Sequence, residues 1–585
     1  MTPAPRQDPR SLLVGGLTLL VVLAALWRAR YGLDTGDGDH VVALAVRMAR
    51  GEVPFADEMN AQAMGSVLAV PFTWVWLQLV GTEGIVLASR VWYVALALGA
   101  GIVGYRALRT GFGPLAAFTG AVLAFAPTAY NLLLTSYNTV PMLALGTAVL
   151  SGYAALRRLG AAWAAVAGGA LALSVVSHPS SLPGAAVLGL VLLALALGAG
   201  RAGRRVVGGL VGAGVGVSAA VVVWVLVVPG AGAVARTLAY TAAYQELRPH
   251  PLARLADTAG RYASAVVTWE HLPAALLLLV LTLVPLGARW RALGLTAVPV
   301  LVALPAVARA LSEPDAFFVG LLSSPHAVVV ALALSVPVAR WALVGGTDLA
   351  AARDVRLLLT LALPLALVGL VTYAMVTSAT AAWGATSPPA MALYGVVGAA
   401  VVAEVERSWR SVTAALVAVT LLLGSLATVH GLRSFRDPAV WRVGTQVAGG
   451  PHAWLVTTPA AAELDCAWRR ALSAWVGPGE GILAYRAPAA YLYADGPMET
   501  NIIWLGQFGQ ANEHVVEWLD AQDRWPDVVV VHPHALPSWP GLVEQDPLVR
   551  ALVADYGEPV DAGPFTVLRR DGRTVPVRGA EPVGC

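Results

Sequence analysis

The feature that most constrains the fold is a succession of apolar stretches, most of them long enough for a membrane-spanning helix. A helix needs about 20 predominantly apolar residues to cross the hydrocarbon layer of a bilayer. Thirteen such spans are predicted at 11–27, 85–105, 113–132, 139–156, 161–177, 182–200, 206–228, 272–288, 292–311, 325–343, 357–378, 390–404 and 412–430. The chain is therefore predicted to be a mainly α-helical, polytopic membrane protein.

The composition supports this prediction and excludes several other classes of protein. Of the 585 residues, 57% are hydrophobic and only 12% are charged, whereas about 25% of the residues of a soluble protein are charged. A disordered chain, an ordinary cytosolic enzyme and a basic nucleic-acid-binding protein are excluded. All 38 basic residues are arginine, a bias typical of high-G+C genomes, which indicates a bacterial source.

The distribution of arginines predicts the orientation in the plasma membrane. Cytoplasmic connections carry an excess of basic residues, and alternate connections here hold arginine pairs, beginning with Arg6 and Arg10 before the first span. This places the N-terminus in the cytoplasm and the C-terminus outside. The opposite connections also contain arginines, but they are long, and the rule weakens for long loops. A signal peptide is the less favoured reading of the first span, because no convincing cleavage site precedes Arg28.

Three segments are too long to be simple connections. Residues 28–84 form a first outer loop with an acidic motif, and residues 229–271 form a second. After a membrane domain at 1–430, residues 431–585 contain strand-length apolar runs at 481–485, 528–532 and 565–568. These alternate with helical patterns at 460–476, 513–522 and 547–556. The alternation predicts an extracytoplasmic α/β domain.

The chain contains two cysteines, Cys466 and Cys585, both in this C-terminal region. Two cysteines exclude a cysteine cage for zinc or an iron–sulfur cluster. An oxidising compartment would permit a disulfide between them. Two unpaired thiols are an equally good reading of the sequence.

The first outer loop concentrates acidic residues just beyond the first span. They are Asp34, Asp37, Asp39, Glu52, Asp57 and Glu58. Residues 41–50 are predicted to form a short amphipathic interfacial helix, capped by Asp37 or Asp39 and ended by Gly51. On composition alone, helix caps and a solvated loop explain these acids more simply than catalysis does.

The order of the motifs favours catalysis. An acidic cluster, a short helix ending in glycine, the motif Val-Pro-Phe-x-Asp at 53–57 and a further apolar helix follow one another. This order resembles the first outer loop of the polyprenyl-phosphate-dependent GT-C glycosyltransferases. The likeness is closest to the bacterial family 39-like members related to protein mannosyltransferases and to the lipid A aminoarabinose transferase. Counting back from Pro54 places Asp37 on the family's catalytic aspartate, with Asp39 as the nearest substitute.

The resemblance implies an inverting enzyme that moves a hexosyl or pentosyl group from a polyprenyl-phosphate sugar. The acceptor would be the hydroxyl of a cell-wall glycan, a glycolipid or a protein on the outer face. No cofactor is firmly implied, and a divalent metal is left open because Asn138 occupies the place of a second acidic residue. The partners expected are the lipid-linked donor, the acceptor and membrane lipids, without nucleic acid.

The chemistry of such a transfer requires a base and a cationic site. A carboxylate in a partly dry pocket can accept the proton of the attacking hydroxyl, which is the role predicted for Asp37. Arginine suits the departing phosphate, although lipid-facing arginines also snorkel to the interface. The predicted substrate-binding residues are Asp57, Glu58, Tyr137, Asn138, His178, Arg248, Arg254 and Arg261.

Two other functions are compatible with a polytopic chain. A transporter or flippase would place ionisable residues near mid-membrane and show repeated halves. Neither feature is visible in the sequence. A non-catalytic scaffold of GT-C ancestry is the stronger alternative, since the second acidic position is Asn138.

Overall fold

The architecture is that of a computed structural model. It describes residues 9–313, 324–344, 350–376, 386–409, 411–433, 437–505 and 509–577. The helices of its membrane region are α1 (Pro9–Ala29), α2 (Asp37–Ala49), α3 (Val70–Leu79), α4 (Ile85–Leu108), α5 (Pro114–Phe125), α6 (Thr139–Arg158), α7 (Ala161–Ser177), α8 (Leu182–Gly198), α9 (Gly203–Val227), α10 (Gly230–Glu246), α11 (Pro251–Val266), α12 (Leu272–Leu283), α13 (Ala288–Ser312), α14 (Ser324–Val344), α15 (Ala350–Val376), α16 (Met391–Trp409) and α17 (Val412–Gly431).

The mainly α-helical, polytopic fold class is confirmed. Within the described ranges, ten helices are long and apolar enough to cross a bilayer. The bent pair α11 and α12, which meet at 65°, would provide one more. Each of the thirteen predicted spans coincides with a helix, but α5 and α12 have 12 residues each and α7 has 17. Prolines shortly after α5 and α12, Pro127 and Pro285, limit their length because proline cannot continue a helix.

The centre of the bundle is α16, whose residues are almost all buried. It contacts α5, α14, α15 and α17. A helix that is apolar on all sides belongs in an interior. Small residues let the helix backbones approach closely. A Cβ atom added at Gly395 would lie 2.5 Å from the carbonyl oxygen of Gly120. By contrast, α9 exposes most of its valines and leucines, as expected of a helix facing lipid.

The C-terminal region contains the predicted α/β unit. Its helices are α18 (Pro459–Trp475), α19 (Ala490–Tyr493), α20 (Glu513–Gln522), α21 (Trp539–Gln545) and α22 (Pro547–Tyr556), and its strands are β1 (Thr445–Gln446), β2 (Val456–Thr457), β3 (Ile482–Tyr485), β4 (Val528–Val531), β5 (Val560–Asp561) and β6 (Thr566–Arg569). The main sheet has the order β3-β4-β6-β5, with β3 parallel to β4 and the other pairs antiparallel. The three predicted strands and three predicted helices are all present within one or two residues.

The C-terminal region packs on one end of the bundle, called here the loop end. Residues of the first outer loop and of the C-terminal sheet share one buried hydrophobic cluster. The carbonyl of Gly450 accepts the N–H of Gly84 at 2.9 Å, and that of Pro451 accepts the N–H of Val86 at 3.2 Å. The carboxylate of Glu83 accepts the N–H of Gly450 at 2.7 Å. Backbone groups at the start of α4 are therefore satisfied by the C-terminal region.

The position of the domain boundary stays a prediction, although α17 ends at Gly431, next to the predicted limit. Cys466 lies on α18 and is disulfide-bonded. Cys585, the other half of the predicted pair, lies outside the described residues.

The close contact between α5 and α16 gives a prediction about stability. Gly395→Ala would press a methyl group against a backbone carbonyl, so the two helices must separate. Overpacking of this kind destabilises by about 1–3 kcal/mol. Gly101→Ala on α4 is the matched control, because a Cβ there meets nothing within 4 Å. We expect a lower thermal unfolding midpoint in detergent for Gly395→Ala alone. Equal midpoints for the two variants would contradict the packing described.

Candidate active site

The helix α2 carries the predicted catalytic aspartate at its first position. Its N-terminal backbone is capped by Asp34, whose carboxylate accepts the N–H of Gly38 at 2.7 Å and that of Gly36 at 3.1 Å. The prediction that Asp37 or Asp39 caps this helix is wrong, because Asp34 lies in the preceding turn and reaches these N–H groups first. Asp37 is half-buried at the start of the helix.

Asp37 and Asp39 point to opposite sides of α2, since each helical residue advances by about 100°. The side chain of Asp39 is 0% exposed, and its Oδ1 lies 2.9 Å from Nε2 of His452. The Nδ1 of the same imidazole lies 2.8 Å from Oδ1 of Asp465, on α18. The hydroxyl of Tyr493 donates a hydrogen bond to Asp465. Asp39 is thus engaged with the C-terminal region.

The imidazole of His452 is held in its charged form. Burial by itself would lower the pKa of His452, but the adjacent carboxylates of Asp39 and Asp465 outweigh burial and raise the pKa to about 10. At neutral pH, both ring nitrogens therefore carry protons and donate to a carboxylate. Burial raises the pKa of Asp39, and the charge of His452 opposes this rise. The His452 ring thus lies between the buried side chains of Asp39 and Asp465.

The opposite side of α2 faces a different group of residues, which we call the Tyr137 cluster: Asp37, His40, Tyr137, His178, Arg248 and Trp504. Burial raises the pKa of Tyr137, the negative charge of Asp37 raises it further, and the positive charge of Arg248 lowers it. Both ionic groups therefore act on the same phenol. Gly65 lies directly beside Tyr137, where a Cβ would be 2.2 Å from the tyrosine nitrogen.

His40 lies one helical turn after Asp37 and belongs to the same side of α2. Its ring is 5.1 Å from that of Trp504 and 6.4 Å from that of Tyr137, measured between centroids. Burial lowers the pKa of His40 to about 3, so the ring is neutral at pH 7. Its Nε2 atom is buried and makes no hydrogen bond with any described residue.

His178 connects the Tyr137 cluster to the membrane helices. Its ring stacks on Tyr373 of α15 at 4.8 Å and lies 6.0 Å from Tyr137. Its Nε2 is 3.2 Å from the side-chain amide of Gln62. Asn138, which precedes α6, is 8% exposed and lies next to Tyr137 in the chain.

Arg248 lies between α10 and α11, and its guanidinium sits over the ring of Tyr244 at 4.0 Å. Burial and the neighbouring charge of Arg254 lower the pKa of Arg248 to about 10, so it stays a cation at neutral pH. Within the described ranges, Arg248 makes no ion pair with a carboxylate. Arg254 is 3% exposed and donates to the side chain of Gln245 and to a backbone carbonyl, both at 3.1 Å.

Three of the predicted binding residues already have partners elsewhere. Arg261 is exposed and pairs with Asp257 at 2.8 Å. Asp57 accepts the N–H of Val53 at 2.7 Å, which closes the 53–57 turn. Glu58 is 2% exposed and accepts hydrogen bonds at 3.1 Å from Arg47 and from the backbone of Ile503. These contacts hold the first outer loop together and attach it to the C-terminal region.

Sequence analysis missed His40, Trp504, His452 and Asp465. His40 and Asp37 share a helix face because α2 begins at Asp37, whereas the predicted helix begins only at residue 41. The others belong to the C-terminal region, and no local pattern indicates that they reach α2. A divalent metal also stays without an assigned site: in the described part of the chain, no three His, Cys, Asp or Glu side chains are grouped to hold one.

Comparison with known proteins gives limited information. No protein-family model matches the chain. No curated protein matches it either. Among solved structures, the chain is similar to the apo crystal structure of the Archaeoglobus fulgidus oligosaccharyltransferase, with 13% identity and a TM-score of 0.43 over 98% of this chain and 76% of that chain. A similarity at this level carries no inference about function.

The charge on His452 makes stability depend on pH in a defined direction. Its pKa is about 10 in the folded protein against 6.5 for an unperturbed histidine. The stability that it contributes is therefore complete below about pH 6.5 and is lost as the pH rises toward 10. The chain has no lysine, so few other groups titrate between pH 7 and 9. We expect the thermal midpoint to fall over this interval, and His452→Gln to flatten the dependence. An equally flat wild-type profile would contradict this.

Proposed function

We propose that this protein is an integral membrane glycosyltransferase of the GT-C type. It transfers a hexosyl or pentosyl group from a polyprenyl-phosphate donor to an acceptor hydroxyl of a cell-wall glycan, glycolipid or protein. The observation that carries the proposal is that Asp37 and Arg248 both act electrostatically on the buried Tyr137, at the loop end of a bundle with membrane-length helices. Together they supply an anion and a cation where a lipid-linked phosphate would reach the protein.

In the proposed reaction, Asp37 is the general base. An acceptor hydroxyl attacks the anomeric carbon of the donor sugar while its proton passes to the Asp37 carboxylate. The bond between that carbon and the phosphate oxygen breaks, and polyprenyl phosphate leaves with the electron pair. A single displacement of this kind inverts the configuration of the anomeric carbon.

Arg248 is assigned to the phosphate of the donor. A guanidinium binds phosphate through two parallel hydrogen bonds, and Arg248 is a cation without a carboxylate partner in the described part of the chain. It lies between α10 and α11, next to the exposed side chains of Leu247 and Leu252. Arg254 adds positive charge next to it. Arg261 is less suited, because Asp257 neutralises it.

Neutral residues of the Tyr137 cluster, and the adjacent Asn138, are assigned to the sugar. Tyr137, His178 and Asn138 offer a hydroxyl, an imidazole and an amide, which hydrogen-bond sugar hydroxyls without adding charge. Trp504 supplies an aromatic face. Asp57 and Glu58 shape the loop rather than contact substrate in this assignment, and Asp39 serves to hold α2.

The proposal also includes the location. A bacterial plasma-membrane protein with a cytoplasmic N-terminus would expose the loop end, and hence the site, on the outer face. This agrees with the alternation of arginines along the chain. Polyprenyl-phosphate sugars would then reach Asp37 from the outer leaflet. The scaffold and transporter alternatives predict no sugar transfer at this site.

The role of Asp37 is tested by Asp37→Asn in membranes supplied with radiolabelled polyprenyl-phosphate sugars. General-base catalysis contributes about 10²–10⁴-fold to a rate, so we expect transfer to fall by at least about 100-fold. Asp561→Asn, on the exposed strand β5, is the control and should transfer like the wild type. Undiminished transfer by Asp37→Asn would remove this residue from the mechanism.

The role of Arg248 is tested by Arg248→Gln. Loss of a hydrogen bond to a charged group costs about 1.5–3 kcal/mol, which corresponds to roughly a 10- to 100-fold higher KM for the donor. Arg236→Gln, an exposed arginine on α10, is the matched control and should leave KM unchanged. An unchanged donor KM in Arg248→Gln would assign the phosphate to another residue.

A further inference from the structure

The contact between His452 and its two carboxylates is the most completely buried ionic group among the described residues of the loop end. His452 and Asp39 are 0% exposed, and Asp465 is 1% exposed. The three side chains come from the segment before β2, from α2 and from α18. The imidazolium is therefore a bridge between the helix that carries Asp37 and the C-terminal region.

This bridge is one of the contacts that hold α2 against rotation about its axis; another is Arg47, which donates to the carbonyl of Thr500. Asp39 is two residues from Asp37 and projects from the opposite side of the helix. A side chain of α2 ends about 5–6 Å from the helix axis, so a rotation of about 10° moves the Asp37 carboxylate by about 1 Å. Whatever fixes Asp39 thus fixes the distance from Asp37 to an acceptor hydroxyl.

The segment that supplies His452 is itself firmly placed. Two residues before it, Gly450 is bound through its N–H to Glu83 and through its carbonyl to Gly84. The reference point for Asp39 is therefore the start of the long helix α4. Because α4 packs against α5 and α6 in the bundle, His452 links α2 to the membrane helices in addition to the direct contacts of α2 with α3 and α4.

We propose that His452 is a positioning residue for sugar transfer: it holds α2 through Asp39 so that Asp37 meets the acceptor hydroxyl. This inference rests on the proposed function, and it gives the C-terminal region a part in catalysis. The Tyr137 cluster lies on the other side of α2. His452 therefore acts through the helix and does not touch substrate.

Stability alone does not account for this arrangement. Burying charges carries a large desolvation penalty, and replacing a buried ion pair by apolar side chains is often neutral or stabilising. The first outer loop is also attached to the C-terminal region at other points, including the bond from Glu58 to Ile503 and that from Trp518 to Ala56 at 3.1 Å. The contact from both ring nitrogens of His452 gives α2 a defined orientation. A misplacement of a catalytic group by about 1 Å can lower the rate of a reaction by about 100-fold.

The test uses the full chain in proteoliposomes and compares three variants with the wild type. His452→Gln removes the cation and leaves two buried carboxylates facing one another. His452→Gln combined with Asp39→Asn removes one of these carboxylates and lets the two amides hydrogen-bond. His514→Gln is the control, because the ring of His514, on α20, pairs with the exposed Glu517 of the same helix.

The readouts are kcat and donor KM per folded molecule, and hydrogen exchange of the amides of α2. We expect His452→Gln to lower kcat by about 10- to 100-fold with an unchanged donor KM, and to speed exchange in α2. The double variant should recover part of the lost kcat. A kcat per folded molecule equal to that of the wild type, or an equal loss in both His452 variants, would overturn the positioning role.

Hydrogen exchange separates this inference from the proposed function. If the wild type transfers no sugar from any polyprenyl phosphate, the proposed reaction fails, whatever happens in α2. If the wild type is active but His452→Gln leaves both α2 exchange and kcat unchanged, only the positioning role fails. If His452→Gln does not fold, the double variant supplies the same comparison, because it buries less charge. Slow hydrogen exchange in α2 of the double variant, together with a kcat equal to that of the wild type, would overturn the positioning role.

Discussion

A single imidazolium, buried between two carboxylates, links the helix that carries Asp37 to the C-terminal region. His452 donates one proton to Asp39 of the first outer loop and the other to Asp465 of the C-terminal region. Removing any one of the three side chains would leave an unpaired buried charge, which is strongly destabilising. In the proposed account, the orientation of α2 and hence the position of Asp37 depend on this contact.

The remaining charges are distributed according to the demands of a bilayer. The ten long helices have apolar faces, and their exposed valines and leucines suit a hydrocarbon environment. At the far end of the bundle, the buried Glu404 accepts hydrogen bonds from Arg407 at 2.8 Å and from Arg291 at 3.1 Å. At the loop end, Arg47 pairs with Glu52 and Glu58, and His452 pairs with Asp39 and Asp465. Buried ionic groups at both ends are thus held by partners of opposite charge.

Much of the fold could be predicted from the sequence, because each part has its own pattern. Apolar runs near 20 residues predict the long helices, and runs of four or five predict β3, β4 and β6. Helix lengths were less predictable where prolines intervene, as in α5 and α12. The cap of α2 was misassigned because Asp34, Asp37 and Asp39 all satisfy the same local preference, and only the three-dimensional turn selects Asp34.

Only part of the candidate site could be predicted from the sequence. The resemblance to the GT-C first outer loop, counted back from Pro54, indicated Asp37. The arginine-rich segment offered Arg248, Arg254 and Arg261 equally, and nothing in either segment shows that Asp37 and Arg248 act on the same tyrosine. His452 and Asp465 carry no motif, since their role arises from tertiary packing between distant parts of the chain.

The central claim is that sugar leaves a lipid phosphate and reaches an acceptor in one inverting step. In the most direct measurement, the purified protein in liposomes is incubated with polyprenyl-phosphate hexoses and pentoses of defined anomeric configuration. A total cell-envelope extract supplies the acceptor. We expect polyprenyl phosphate to be released in equal amount to the sugar transferred, and NMR of the product to show the inverted anomer. A retained configuration, or no release of lipid phosphate from any of these donors, would contradict the claim.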